Sequence, residues 1–252
     1  MLEVVHATVS FGALKALDDV TVSVSAGQVL GLIGPNGAGK TTMLNAITGL
    51  YPLATGTITL DGVQISGMSR NRLARLGISR TYQNLALFKG LSVLDNVLVG
   101  GAARGRGGLL TSALGLMPTP RAERRARADA IGLLDRFGLA PDAGRSVGEL
   151  PYGVLKRVEL ARALAARPKV LLLDEPAAGL SHEDIEHLVA ELRGIQAAES
   201  LTLVLVEHHM GLVRALCDSV VVLNYGRRLA AGTPDEVTTD PAVVEAYLGS
   251  AA

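Results

Sequence analysis

The sequence predicts an α/β fold whose core is split by a helical insertion. Three observations predict it. Short apolar runs without polar alternation, at residues 28–33 (QVLGLI), 170–173 (VLLL) and 201–206 (LTLVLV), have the pattern of strands buried on both faces. From Gln83 to Arg167 the pattern turns helical, and after that strand and helix alternate again. Between the first of these strands and a helical stretch stands GPNGAGKTT, residues 34–42, which fits the P-loop pattern G-x-x-x-x-G-K-[ST] in its proper strand-to-helix setting.

The elements follow in order. Residues 3–11 and 20–24 are β-rich and separated by turn signals; strand 28–33 then feeds the P-loop and a helix over 41–48. Residues 56–60 and 63–65 flank Asp61-Gly62, a strong hairpin signal. Another strand, 77–81, precedes Gln83. Ser92 with Asp95 resembles a capping box that opens a helix to Val99, and 100–108 is a loop rich in Gly, Arg and Ala. Thr119-Pro120 starts a long helix to Phe137, with Pro at the favoured first position. Its Arg121, Arg124, Arg125 and Arg127 read as a solvated basic face in preference to a lipid or partner contact. Ser181 with Asp184 caps a helix whose apolar stripe is Ile185, Leu188, Val189, Leu192 and Ile195. Strand 201–206, helix 210–216, strand 219–223, a turn at 224–226 and a helix over 241–248 complete the chain, which has no internal repeats.

The P-loop residues Gly34, Pro35, Asn36, Gly37, Ala38, Gly39, Lys40, Thr41 and Thr42 are the expected nucleotide cradle. Glycines let the backbone bend around phosphate, and the helix start offers amide donors and a positive dipole end. Lys40 meets the β and γ phosphates. The Thr41 hydroxyl is the expected Mg²⁺ ligand, completed by water and phosphate oxygens in an octahedral set. Asp174, at the carboxyl end of the 170–173 strand, is placed to hold Mg²⁺ through a water, and Glu175 to polarise the attacking water.

Composition narrows the class further. With 252 residues and 48% apolar content the chain can bury one sizeable core. Charges balance, 24 basic against 24 acidic, without long basic blocks, so a nucleic-acid grip based on charge has no support. No apolar run approaches the roughly 20 residues of a spanning helix, the longest loose one being 108–117. MLEVVHATVSF lacks the charged start and apolar core of a signal peptide, and the lone Cys217 reads as a small packed residue. A cytosolic location is expected.

Leu150, Pro151, Tyr152 and Gly153 lead straight into VLKRVELARALA, upstream of VLLLDEP. This resembles the signature motif of ATP-binding cassette (ABC) ATPases, and the likeness extends over the whole chain. The resemblance implies a P-loop (RecA-like) core with an N-terminal antiparallel β subdomain and an inserted α-helical subdomain. Residues 1–83 and 168–252 would form the nucleotide-binding core, and 84–167 the helical part with the signature. It further implies a dimer closing on two ATP molecules, in which Leu150, Pro151, Tyr152 and Gly153 face the nucleotide held by the opposite subunit. Gln83 in RTYQN matches the Q-loop, a sensor between Mg²⁺ and the transport partner, and His208 in LVEHHM matches the switch histidine that steadies the γ-phosphate. Phe11 matches the aromatic that stacks on adenine; packing in the core is the rival reading, and the scarcity of aromatics favours stacking.

FGALKALDDV, SRTYQNLALF, GLLTSALGLMPTPRAERRARA, DEPAAGL, VVLNYG and GTPDEV with AYLG are similar to LivG-type ATPases of branched-chain amino-acid importers. That branch implies transmembrane permease subunits docked near residues 83–88, a second ATPase subunit, identical or different, and indirectly a solute-binding protein. It also implies a place on the inner face of the membrane. Urea or amide importers, lipid exporters and soluble cassette proteins are the alternatives within the family. A P-loop GTPase lacks its NKxD-like guanine reader here. Three departures stand out: Pro151 brings no hydroxyl, Val154 and Leu155 replace a polar pair, and Ser181-His182 replaces the usual D-loop residues. They bear on the partner's nucleotide and leave this chain's own phosphate site intact. His209, where relatives carry Asp, receives no role.

Overall fold

Two sheets stack, and the strand alternation of the larger one decides which core each side chain enters. The computed structural model describes residues 1–82, 85–102 and 120–248. The expectations for Gln83 and for residues 108–119 of the 108–128 insertion therefore lie outside the described residues.

The smaller sheet is antiparallel, in the order β2 (Leu14–Val24), β1 (Leu2–Phe11), β4 (Thr55–Leu60), β5 (Val63–Gln64). Asp61 and Gly62 both have positive φ, 51° and 76°, in the two-residue turn that joins Leu60 to Val63, as the Asp-Gly pair predicts. The larger sheet runs β10 (Arg227–Gly232), β9 (Ser219–Asn224), β3 (Val29–Ile33), β8 (Thr202–Val206), β7 (Val170–Asp174), β6 (Ile78–Arg80). Only β10 is antiparallel in it. Strands β3, β7 and β8 are buried at every position, the mark of parallel strands covered on both faces.

Alternate residues of those strands serve different cores. Leu30, Leu32, Leu172 and Val204 pack with the antiparallel sheet and with α1 (Lys40–Ile47). Ile33, Leu171, Leu173 and Leu205 face the other way, toward α6 (His182–Glu199) and α7 (Met210–Leu216). The same second core runs on into the helical section of α3 (Val93–Ala102), α4 (Pro120–Arg136) and α5 (Tyr152–Ala165), through Val97, Leu134, Phe137 and Val158. Short helices α2 (Arg70–Leu76), α8 (Pro234–Thr239) and α9 (Pro241–Leu248) complete the α-helices of the described residues.

Three elements are additions to the sequence reading: α2, β10 and α8. Strand β2 also starts earlier than expected, at Leu14. Helix α2 buries only Leu73, and β10 has no fully buried residue, so neither carries a periodic apolar signal. Edge strand β10 is fixed instead by the turn of Tyr225 and Gly226, both with positive φ, which hands Asn224 on to Arg227.

Candidate nucleotide site

Parallel strands deliver their loops to one edge, and ligands of such sheets bind at the carboxyl ends. The P-loop follows β3, Glu175 follows β7, and His208 lies two residues past β8, the strand between them. Sequence-distant residues thus share one edge. A cavity of about 280 Å³ there is lined by Ala16, Asn36 through Thr42, and Glu175.

The P-loop holds its shape through close backbone packing. A Cβ on Gly34 would lie 2.1 Å from the Leu223 carbonyl oxygen, and one on Gly39, at φ 104°, 2.7 Å from that of Ala16. Only glycine fits either place. The Gly226 amide adds a bond to the Ala38 carbonyl at 3.0 Å. Lys40 is 8% exposed, and its Nζ donates to the carbonyls of Gly34 (2.6 Å) and Pro35 (2.9 Å). Burial holds its ammonium below the usual lysine range, opposed by the nearby carboxylates of Glu175 and Asp174. Thr41 is exposed at the cavity wall.

On β7 the two carboxylates differ sharply. Asp174 is 3% exposed, its Oδ2 accepting from the Arg80 guanidinium at 2.7 Å. Glu175 has left the strand: its φ is +49°, its amide donates to the Val206 carbonyl at 2.9 Å, and its side chain lines the P-loop cavity. A left-handed backbone costs a residue of this kind about 1–2 kcal/mol, so Glu175 holds a strained backbone at the wall of the P-loop cavity.

Sequence reasoning missed Glu207. Fully buried, it accepts the amides of Ala177 (2.9 Å), His208 (2.8 Å) and His209 (3.0 Å), so it fixes the turn after Glu175 and the loop bearing His208. Adjacency to His208 is the only signal the sequence offered. The His208 side chain is 63% exposed, with Nδ1 3.8 Å from Glu207. His209 does have a role: its Nδ1 caps α7 by accepting from the Leu212 amide at 3.2 Å.

The signature residues open α5. Pro151 is the N-cap without a side-chain bond, Tyr152 is exposed, and Val154 and Leu155 pack against the second core. Apolar residues at those two positions therefore satisfy packing. Lys156 on the same helix donates to the Glu175 carbonyl at 3.4 Å. Further along α5, buried Glu159 accepts the Tyr82 amide at 3.1 Å and Arg162 donates to the Ala86 carbonyl. Burial raises the Glu159 carboxyl above its usual range, against the Tyr82 amide and Lys156. Ser181 and Asp184 form the expected capping box, 2.6 Å apart, at the start of α6. Phe11 is 47% exposed and meets Tyr51 edge-on at 5.0 Å, which removes the core alternative for it.

Among the described residues no cluster of three His, Cys, Asp or Glu forms a ready metal cage. A single carboxylate, Asp174, close enough to act electrostatically on Lys40, together with the exposed Thr41 of the phosphate loop, instead suits Mg²⁺, which keeps waters and takes phosphate oxygens.

The family model described as ABC transporter matches residues 17–178, and one described as Branched-chain amino acid ATP-binding cassette transporter matches residues 227–252. The chain is 42% identical to the high-affinity branched-chain amino acid transport ATP-binding protein BraF of Pseudomonas aeruginosa, covering 100% of this chain and 98% of that protein. It is 40% identical to LivG of Escherichia coli over 96% of this chain and 94% of that one. Among solved structures, the ADP conformation of the ATP-binding cassette MJ1267 superimposes with a TM-score of 0.86 at 32% identity, covering 99% and 98% of the two chains. The dimeric cassette MJ0796 gives 0.80 at 25% identity, covering 93% and 99%. The chain belongs to the ABC transporter family, whose cassettes are ATPases that power membrane transport. Within it, the similarity is to the ATP-binding subunits of branched-chain amino-acid importers.

Proposed function

We propose that this chain is the ATP-hydrolysing subunit of an importer for branched-chain amino acids or related small solutes, acting at the cytoplasmic face of the membrane. Its partners are transmembrane permease subunits and a second ATPase subunit, with a solute-binding protein engaged indirectly. No described helix is long and apolar enough to cross a membrane, so the pore is assigned to other chains.

In this reading the P-loop amides and Lys40 grip the β and γ phosphates and Phe11 stacks on adenine. Glu175 takes a proton from the attacking water while His208 steadies the γ-phosphate. Thr41, Gln83 and Asp174 would hold Mg²⁺, which when bound neutralises charge on the β and γ oxygens. Leu150, Pro151, Tyr152 and Gly153 complete the opposite subunit's site at the start of α5. Residues 1–83 and 168–252 act as the nucleotide-binding core and 84–167 as a helical subdomain, a division supported by the gathering of α3, α4 and α5 between β6 and β7.

One observation carries the cargo assignment: identity to BraF and LivG runs the length of the chain. The test is to purify the subunit with its membrane partners in lipid and measure ATP turnover against a panel of solutes and their binding proteins. Leucine, isoleucine and valine should stimulate. Stimulation by urea or short amides alone would reassign the cargo.

A further inference from the structure

Arg80 opens the RTYQN stretch, where only Gln83 received a role, and lies at the carboxyl end of β6, beside the strand that ends in Asp174. Its side chain is 5% exposed and that of Asp174 3%, and their ion pair measures 2.7 Å. The same guanidinium donates to Asn45 Oδ1 at 2.6 Å, on α1, the helix that begins with Lys40, and, more weakly, at 3.4 Å to Oγ1 of Thr48, which caps the end of that helix. The Tyr82 ring lies 5.2 Å away. One cation thus joins the P-loop helix, the Asp174 strand and the segment leading to Gln83.

A buried carboxylate without a partner is expensive, and losing one member of a buried pair leaves the other uncompensated. Asp174 meets that hazard each time a metal-nucleotide complex departs. We infer that Arg80 is the resident counter-ion of Asp174: it neutralises the carboxylate when Mg²⁺ is absent and competes electrostatically with Mg²⁺ for it. The inference rests on the reading of Asp174 as the carboxylate that takes a Mg²⁺-bound water. Arg80 is a positioning residue acting through Asp174. Lysine at this place would keep the charge while losing the forked contact to α1.

The experiment titrates Mg²⁺ at fixed ADP and reads nucleotide binding by calorimetry, alongside the Tm of the empty chain. Arg80→Met should lower the Mg²⁺ concentration for half-maximal binding by at least ~5-fold, the low end of a typical coupling between two sites. Arg80→Lys should stay near the parent. Arg80→Met should also lower the Tm, and adding Asp174→Asn should restore much of it, because both buried charges then leave together. If Arg80→Met alone does not fold, recovery of a folded Arg80→Met/Asp174→Asn chain is the expected result. A raised Mg²⁺ requirement in Arg80→Met would overturn the inference, as would a double variant no more stable than the worse single one. An unchanged Mg²⁺ requirement in Arg80→Met, with Asp174→Asn altering it, would make Arg80 a structural clamp only. If Asp174→Asn itself leaves the Mg²⁺ dependence untouched, the metal role of Asp174 fails and the inference falls with it.

Discussion

Glu207 Oε1 accepts the Ala177 amide at 2.9 Å while its other oxygen takes the amides of His208 and His209. A single carboxylate therefore sets the turn after Glu175 and the loop of His208 in fixed relation. Glu207→Gln keeps the size but can satisfy only one of those two groups of donors. We expect ATP turnover to fall by up to ~10²-fold from misplacement of the reacting groups. Stability should drop by on the order of 1.5–3 kcal/mol as a charge-assisted bond is lost. Nucleotide affinity should hold. Turnover, calorimetric affinity and denaturant unfolding measured together check this, and a loss confined to affinity would refute it.

Glu175 sits at φ +49°. Glu175→Gln should bind Mg-ATP, hydrolyse it at least ~10²-fold more slowly, and accumulate as an ATP-bound dimer. Glu175→Asn should be equally inactive yet more stable than Glu175→Gln, by about 1 kcal/mol, since Asn tolerates the left-handed backbone. Comparing denaturation midpoints of the two inactive variants isolates the strain. Equal midpoints would mean that the site stores none.

Phe11 is exposed at the end of β1, and Ala16 on the neighbouring strand lines the P-loop cavity. Phe11→Ala should weaken ATP binding by roughly 1–3 kcal/mol, the scale of base stacking on an aromatic ring. Because the ring is not core, the Tm should hardly move. A falling Tm with intact affinity would show that its contact with Tyr51 is what matters.

Pro151 supplies no hydroxyl, and Val154 and Leu155 turn toward the core. If the second ATPase subunit is a different chain, the two composite sites should be unequal, since losing one transition-state donor can cost ~10² in rate. Hydrolysis should occur mainly at the site built on this chain's Lys40 and Glu175. Removing the general base from one subunit at a time tests this by turnover: losing Glu175 should hurt far more than losing its counterpart. Equal losses would mean that backbone amides suffice.

Much of this was legible in the sequence because the informative segments are locally determined. The P-loop announces itself through glycines that no other residue can replace at Gly34 and Gly39, and the strands of the parallel sheet through unbroken apolar runs. The capping signal of Thr233 and Glu236 at α8 was also written there, with Pro234 at the first position, yet the helix is only six residues long and buries just Val237. What could not be read were the partners of charged side chains that lie far away in sequence. Arg80 with Asp174, separated by 94 positions, and Glu207 with Ala177 depend on which strands become neighbours, and strand order is not a local property. His209 was obscured for another reason: its work as a cap uses a ring nitrogen where an oxygen is the usual acceptor.

The Lys40 ammonium rests on two carbonyl oxygens of its own loop. If Lys40 grips phosphate as proposed, arrival of a triphosphate is an exchange of ligands, in which phosphate oxygens displace peptide oxygens already in place. The attraction gained is a difference between two good coordination states, smaller than a bare cation would supply. Departure is eased in the same measure, for the lysine returns to waiting acceptors and is not stranded in a dry crevice. A loop that hosts its own cation can let go of spent nucleotide, which is what a cycling motor requires of its grip.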